Sequence, residues 1–257
     1  MNSIDFHIAE LESMKKYPDT LHHKGNIDLL KRRKISIIGS RKPNQYTQQM
    51  THRLASELSR VGMCIVSGGA MGVDAIAHRG AGSDSTIAVL PCGIDLRYPV
   101  VNKSLLENIE NSGLIISQFD LGFQATNWSF VVRNEVVVAL GDVLIVTQAD
   151  IDSGSMRSVE FALEMGKKIY VLPHRIGESE GTNRLLADGK AEAICDIDTF
   201  VGKFGMVNSE IDKSDPFMLF CATRPTYEEA VVKFGDRVYE AELNGRIAVT
   251  NGVIGLL

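Results

Sequence analysis

The sequence contains few cysteines, and none is placed for a metal site. Its four cysteines, Cys64, Cys92, Cys195 and Cys221, stand singly, without a C-x-x-C pair or a Cys/His spacing typical of metal binding. We therefore expect reduced, mostly buried thiols and no bound metal.

Long apolar runs are also missing. No stretch of the chain approaches the roughly 20 apolar residues that a membrane-spanning helix needs. Residues 1–17 are polar and charged, unlike the apolar centre of a signal peptide. We therefore expect a cytoplasmic protein that has no membrane partner.

The chain as a whole lacks the positive charge of a general nucleic-acid binder, because its formal net charge is −5. The charge is unevenly distributed. Residues 15–42 carry nine Lys/Arg against two acidic residues, whereas residues 205–257 carry five against eight. A polyanion is therefore expected to favour the first segment and to avoid the last.

Short apolar runs bounded by glycine, proline or aspartate alternate with helical patterns. This arrangement is typical of βαβ units, and it predicts an α/β fold with a mostly parallel sheet. We predict strands at residues 35–39, 63–67, 86–91, 114–119, 143–148, 168–172 and 192–195.

Apolar residues at helical spacing fall between the predicted strands. Met50, Leu54, Leu58 and Val61 form one stripe, which predicts a helix that ends at Gly62. Further helices are predicted at residues 73–79, 102–110, 128–140, 155–165 and 182–187. The run at 128–140 is apolar nearly all round, and a strand at 136–138 is the alternative there.

The pattern predicts two domains. Residues 1–204 form the α/β domain, and the polar stretch at 205–216 is a linker. Residues 217–257 form a small module, with one or two helices at 227–243 and a hairpin turn at Asn251-Gly252. Helices followed by a terminal hairpin suggest a winged-helix-like module.

Two loops that follow predicted strands carry residue types suited to phosphate binding. Ligands of open α/β sheets bind beyond the carboxyl ends of the strands. Glycines there allow backbone amides to approach an anion, and Arg and Ser side chains add donors. The first loop contains Gly39, Ser40, Arg41 and Lys42, and the second contains Ser67, Gly68, Gly69 and Gly72. Alternatively, the glycines only permit tight turns.

Two further places are candidates for the same site. Ser153 and Ser155 follow a predicted strand, and Ser155 is a plausible helix cap or anion ligand. Arg133 and Asn134 interrupt an apolar helix, so they need polar partners. Arg133 either pairs with a carboxylate such as Asp74 or Asp142, or it contacts a ligand.

Dinucleotide and ATP sites have fingerprints that this chain lacks. No G-x-G-x-x-G follows the first predicted strand, and no G-x-x-x-x-G-K-[ST] occurs. We therefore expect no cofactor.

Several segments, in order, resemble the DNA processing protein A (Smf) family. They are residues 24–30, 35–43 (ISIIGSRKP), 65–78 (IVSGGAMGVDAIAH), 86–99 (TIAVLPCGIDLRYP), 133–134, 153–155 and 182–189. The resemblance runs from about residue 17 to about residue 200. It implies an extended, doubly wound Rossmann-like fold and a homodimer that binds single-stranded DNA. It also implies help in loading the recombinase RecA during natural transformation and recombination.

The resemblance implies that Ser40, Arg41, the loop from Ser67 to Gly69, and Arg133 with Asn134 line the DNA pocket. Two other readings remain open. One is an enzyme like the nucleotide phosphoribohydrolases, although this chain lacks their P-G-G-x-G-T-x-x-E stretch and offers only Glu160 as a stray carboxylate. The other is a protein–protein adaptor. Because the catalytic stretch of those enzymes is missing, we predict no catalytic residue.

Overall fold

The computed structural model describes residues 2–205, 215–244, 246–250 and 252–256. The chain divides into two compact units, Met1–Met206 and Val207–Leu257. Most of the predicted linker at 205–216, and Asn251 of the predicted hairpin turn, lie outside the described residues.

Within the described part of the first unit, nine strands form one sheet. In chain order they are β1 (Asn2–Ser3), β2 (His22–Gly25), β3 (Lys34–Ile38), β4 (Cys64–Ser67), β5 (Thr86–Val89), β6 (Leu114–Ser117), β7 (Leu144–Val146), β8 (Ile169–Val171) and β9 (Glu192–Ala193). Their order across the sheet is β1-β2-β6-β5-β4-β3-β7-β8-β9.

The sheet is parallel from β6 to β9, which confirms the mostly parallel α/β prediction. The seven predicted strands are present, with ends within two residues of the predicted ones. The antiparallel strands β1 and β2 were not predicted. Their sequences, Asn-Ser and His-His-Lys-Gly, are polar and lack the apolar pattern of a buried strand. β2 pairs with β6 through backbone hydrogen bonds, which do not depend on the side chains.

Helices cover both faces of this sheet. They are α1 (Gln45–Arg60), α2 (Val73–Ala81), α3 (Lys103–Ser112), α4 (Asn127–Leu140), α5 (Gly154–Glu164), α6 (Glu180–Ala187) and α7 (Ile197–Val201). Leu54 of α1 packs with Ile37 on one face, whereas Val136 of α4 packs with Val66 on the other. This is the doubly wound, Rossmann-like arrangement predicted from the sequence.

Capping residues decide where two of these helices begin. The side chain of Asn44 accepts a hydrogen bond from the Thr47 amide, so α1 starts before its apolar stripe. Thr126 and Ser129 form a reciprocal capping box at the start of α4. Residues 136–138 belong to α4, so the helix prediction is confirmed and the alternative strand is wrong.

The second unit contains three helices and a hairpin among its described residues. They are α8 (Pro216–Ala222), α9 (Tyr227–Phe234), α10 (Arg237–Leu243), β10 (Ile247–Thr250) and β11 (Val253–Leu256). Phe217, Val238 and Ile254 are buried in its core. Helix α8 was not predicted, and the winged-helix assignment stays a prediction.

A buried lysine joins the N-terminal segment to the central sheet. The Lys34 side chain at the start of β3 is only 2% exposed. Its Nζ donates to the carbonyls of Leu30 (2.7 Å) and Arg32 (2.9 Å) and lies 2.5 Å from Glu10 Oε1. Burial would raise the pKa of Glu10, but the hydrogen bond and charge of Lys34 outweigh burial and lower it.

We expect Glu10→Gln to lower the free energy of unfolding by about 1–2 kcal/mol at neutral pH, because the buried Lys34 ammonium loses its ionised partner. The folded pKa of Glu10 lies below its ordinary value of 4.5. The stabilisation is therefore complete above that value and is lost as the pH falls through the folded pKa. Urea unfolding should accordingly show a smaller acid loss for the variant than for the wild type.

Asp19→Asn is the control, because Asp19 forms an exposed pair with Lys16. Equal acid losses in the wild type and Glu10→Gln would contradict the role assigned to this pair.

Candidate functional site

A cleft of about 460 Å³ lies at the carboxyl ends of β3, β4 and β7, next to the first turns of α4 and α5. It brings together most of the residues that the sequence singled out. Those that line it are Gly39, Ser40, Arg41, Gly68, Arg133, Asn134, Ser153 and Ser155. Segments far apart in the chain meet here because parallel strands end at one edge of the sheet.

The three remaining predicted residues lie beside or beneath the cleft. Lys42 is exposed, and its amide donates to Ser40 Oγ (3.1 Å). Ser67 is fully buried, and its hydroxyl donates to the Ile37 carbonyl (2.7 Å). Gly69 has a φ of +68°, and its carbonyl accepts from Asn102 Nδ2 (3.0 Å).

In the second glycine loop, backbone amides that could bind a phosphate are already hydrogen-bonded to a carboxylate of the protein itself. Oδ2 of Asp74 accepts hydrogen bonds from the amides of Gly68 (3.2 Å) and Ala70 (3.3 Å). A Cβ on Gly72, whose φ is +79°, would lie 2.4 Å from the Ser40 carbonyl oxygen. At these positions the structure corrects the expectation of an open phosphate loop, because the amides are occupied and the glycine permits close packing.

Arg133 is the buried cation of the cleft, with 3% of its surface exposed. Its Nη1 donates to the carbonyls of Gly68 and Val89 (2.8 Å for the latter). A Cβ on Gly68 would lie 2.5 Å from the Arg133 guanidinium carbon, so any side chain there would have to displace the guanidinium group. Asp142 pairs instead with Arg33 (3.3 Å), so Arg133 does not use that predicted partner.

The charge of Arg133 persists at neutral pH. Burial lowers its pKa, the charge of Asp74 raises it, and the resulting value is about 10. Burial in turn raises the pKa of Asp74, opposed by Arg133 and the loop amides. Arg133 therefore interacts electrostatically with Asp74, as one alternative expected. It also lines the cleft, and its contact with a ligand stays a prediction.

The start of α5 supplies donors to the cleft. The helix begins at Gly154, so Ser153 occupies the cap position and Ser155 lies in the first turn, which corrects the prediction that Ser155 caps it. Ser153 makes no capping bond, and its buried Oγ has no partner among the described residues. Anions bind favourably at such a helix start.

Phe130 lies close to both arginines of the cleft and was not among the predicted site residues. Its ring centre is 5.1 Å from the Arg41 guanidinium carbon and 5.8 Å from that of Arg133. Tyr98, which is 44% exposed, lies 5.8 Å away on a further side. Positions 127, 130, 131 and 134 share one face of α4, so the helical period held a signal for Phe130.

The basic segment at residues 15–42 contributes less to the cleft than its charge suggested. Six of its cations pair with acids: Lys15 with Glu164, Lys16 with Asp19, Lys24 with Glu110, Lys31 with Asp28, Arg33 with Asp142 and Lys34 with Glu10. Of the nine cations in this segment, only Arg41 lines the cleft, where Arg133 and Arg157 are also found.

Glu160 and Trp128 are exposed and do not line the cleft. Glu160 pairs with Arg157 (3.0 Å). Trp128 is 62% exposed, whereas Phe119 is buried and stacks on Phe123 (4.7 Å). Among the described residues, no group of three or more His, Cys, Asp or Glu side chains is placed to hold a metal, and no helix is long and apolar enough to cross a bilayer.

Residues 5–205 match the family model described as DNA recombination-mediator protein A. The chain is 34% identical to the DNA processing protein DprA of Streptococcus pneumoniae over 70% of this chain and 65% of that protein. It is 33% identical to the Bacillus subtilis protein of the same name over 63% of this chain and 56% of that protein. The chain spans between 50% and 65% of the curated relatives that it matches.

Two solved structures are similar to the first unit. DNA processing protein A of Helicobacter pylori, described for its single-stranded DNA binding mode, superimposes with a TM-score of 0.77 at 40% identity, over 79% of this chain and 94% of that one. The Streptococcus pneumoniae structure superimposes with a TM-score of 0.73 at 32% identity, over 79% of this chain and 72% of that one.

We expect Gly68→Ala to destabilise the first unit by about 1–3 kcal/mol, because the new methyl group displaces the Arg133 guanidinium from its carbonyl partners. Urea unfolding measures this loss. Gly154→Ala is the matched control, since nothing lies within 4 Å of a Cβ there. Wild-type stability in Gly68→Ala would show that Arg133 is not held as described.

Proposed function

The chain belongs to the DNA recombination-mediator protein A family, and from this premise we propose that its cleft binds single-stranded DNA. The Helicobacter pylori relative, described for its single-stranded DNA binding mode, supports this proposal. The observation that carries it is the position of Phe130 in the cleft, within about 6 Å of the guanidinium groups of both Arg41 and Arg133.

This arrangement suits the two chemical parts of a nucleotide. An arginine guanidinium makes paired hydrogen bonds to phosphate oxygens, and Arg41 is exposed and free to do so. The half-buried ring of Phe130, with Tyr98 beside it, offers an aromatic surface to a base. Ser153 Oγ and the start of α5 provide further donors for a phosphate.

A single strand fits this chemistry better than a duplex does. Stacking on a protein side chain requires an open base face, and bases within a duplex are already stacked on their neighbours. The cleft volume of about 460 Å³ also lies within the range of pockets that hold a small ligand, such as one nucleotide unit.

The wider role proposed for this protein rests on its family. We propose that it protects incoming DNA and helps load the recombinase RecA in natural transformation and recombination, and that it works as a homodimer in the cytoplasm. The predicted DNA contacts at Gly39, Lys42, Asn134 and Ser155 are proposed with it. Ser67 and Gly69 are left out because both are buried and neither lines the cleft.

An enzymatic role is less well supported. The Glu160 carboxylate, which the phosphoribohydrolase alternative needs as an acid or base, is exposed and bound to Arg157. We therefore propose a binding protein without catalytic activity.

We expect Arg41→Ala to weaken binding of single-stranded oligonucleotides about tenfold, because one charge-assisted phosphate contact is lost. The slope of log K against log salt concentration should fall in magnitude by about 0.7. A salt-titrated fluorescence anisotropy assay measures both.

Lys31→Ala is the matched control, since it removes one positive charge at the amino end of β3, away from the cleft. Equal effects of the two variants would indicate general charge attraction and not a contact within the cleft.

We also expect truncation after Phe204 to leave single-stranded DNA affinity within a few-fold of the full chain. Three of the described cations of the second unit are engaged. Nη2 of Arg237 lies 2.7 Å and Nη2 of Arg246 lies 3.6 Å from Asp215 Oδ2, and Lys233 Nζ lies 4.1 Å from the Phe220 ring centre. Anisotropy titrations of both proteins test this. Loss of most of the affinity on truncation would place DNA contacts in the second unit.

A further inference from the structure

A second cavity, of about 520 Å³, opens between the first turn of α1 and the loop that follows β8. Tyr46 and Asn44 line it from the α1 side, and His174, Arg175 and Glu178 line it from the β8 side. Because β8 is parallel to β7 and β3, this cavity lies at the same carboxyl edge of the sheet as the cleft.

Residues 40–44 run from one cavity to the other, because Ser40 and Arg41 line the cleft and Asn44 lines the second cavity. The carbonyl of Gln148 accepts from the Ser40 amide (2.8 Å), on the cleft side. The side-chain Oε1 of the same Gln148 accepts from the Asn44 amide (2.9 Å), on the side of the second cavity. A strand bound in the cleft therefore reaches the second cavity by passing over this short loop.

The charge of the second cavity favours a base over a phosphate. The positive charge of Arg175 is balanced by the negative charge of Glu178, and Asn44 contributes a neutral amide. Tyr46 is 42% exposed, and the His174 ring meets it edge to face, with centres 5.5 Å apart and planes at 89°. An exposed aromatic ring in a near-neutral polar cavity is suited to stacking a base.

His174 offers a hydrogen-bond acceptor of defined position. Its Nε2 lies 2.8 Å from the Thr147 carbonyl oxygen, which can only accept, so Nε2 carries the hydrogen in this contact. In the neutral ring Nδ1 is then an acceptor. That atom is buried and has no partner among the residues that the structure describes. The imino or amino N–H of a base is a donor of the kind this atom lacks, and it reaches the atom when the side chains around His174 move aside.

From these contacts we propose that the second cavity is a nucleobase subsite, in which a base of the strand leaving the cleft stacks on Tyr46 and donates to His174 Nδ1. The inference rests on the proposed function, since it concerns the same strand. It assigns the Tyr46 ring and His174 Nδ1 to direct contact with that base.

The test compares affinities over oligothymidylates of increasing length. Tyr46→Ala should leave the shortest bound strands unaffected and weaken longer ones about tenfold, because only longer strands reach the second cavity. Tyr46→Phe keeps the ring and should bind as the wild type does. A loss that is equal at every length, or no loss at any length, would overturn the subsite.

Photo-crosslinking gives a second readout that does not depend on affinity. Iododeoxyuridine placed at successive positions of a long strand should crosslink to the peptide containing Tyr46 or His174 from one end of the strand only. Absence of that crosslink would contradict the proposal, as would one formed by free iododeoxyuridine monophosphate and not by the strand.

Arg41→Ala separates the two proposals, since it should weaken binding at every length. If Arg41→Ala weakens binding and Tyr46→Ala does not, the second cavity is not a subsite and the proposed function stands. If Arg41→Ala has no effect at any length, the proposed function itself fails.

Discussion

The buried Arg133 guanidinium is the interaction on which the cleft depends. A charge removed from water must be compensated by hydrogen bonds and opposite charge. The carbonyls of Gly68 and Val89 and the charge of Asp74 provide both. Gly68 follows β4, Val89 ends the neighbouring β5, and Arg133 itself comes from α4, so one side chain joins three elements at the edge of the sheet. The absence of a side chain at Gly68 follows from this contact.

The cleft is positively charged although the protein as a whole is acidic, because a few arginines are concentrated there. Six of the nine cations of the basic N-terminal segment pair with carboxylates, and among them Lys34 holds the N-terminal segment against the sheet. Exposed pairs of this kind contribute little to stability, but they cancel charge locally. Arg41 and Arg133 keep their charge at the cleft, close to the Phe130 ring. A ligand that carries both charged and aromatic groups matches this combination.

Two of the buried polar atoms that have no partner among the described residues belong to the two cavities. Ser153 lines the cleft with its Oγ unpartnered, and His174 lines the second cavity with its Nδ1 unpartnered. Leaving such atoms unpaired costs free energy, so a bound strand that supplied a partner at each would be favoured there.

The sequence by itself determined the elements and the chain positions of the cleft. Apolar runs of strand length and helical stripes located seven strands of the first unit, because those patterns reflect burial on a sheet or on one helix face. They missed β2, since its polar residues pair through the backbone. The glycine, serine and arginine residues that follow the strands could likewise be selected, because loops at the carboxyl edge of a parallel sheet converge.

Only the tertiary structure decided what those residues do. The second glycine loop bound to Asp74, Phe130 close to two arginines, and the contact of His174 with Tyr46 each join residues from separate elements. Arg133 and Gly68, for example, are 65 positions apart. Local periodicity describes which face of an element is buried but carries no information about which distant side chain packs against it. The roles of these residues therefore emerged only from the packed fold.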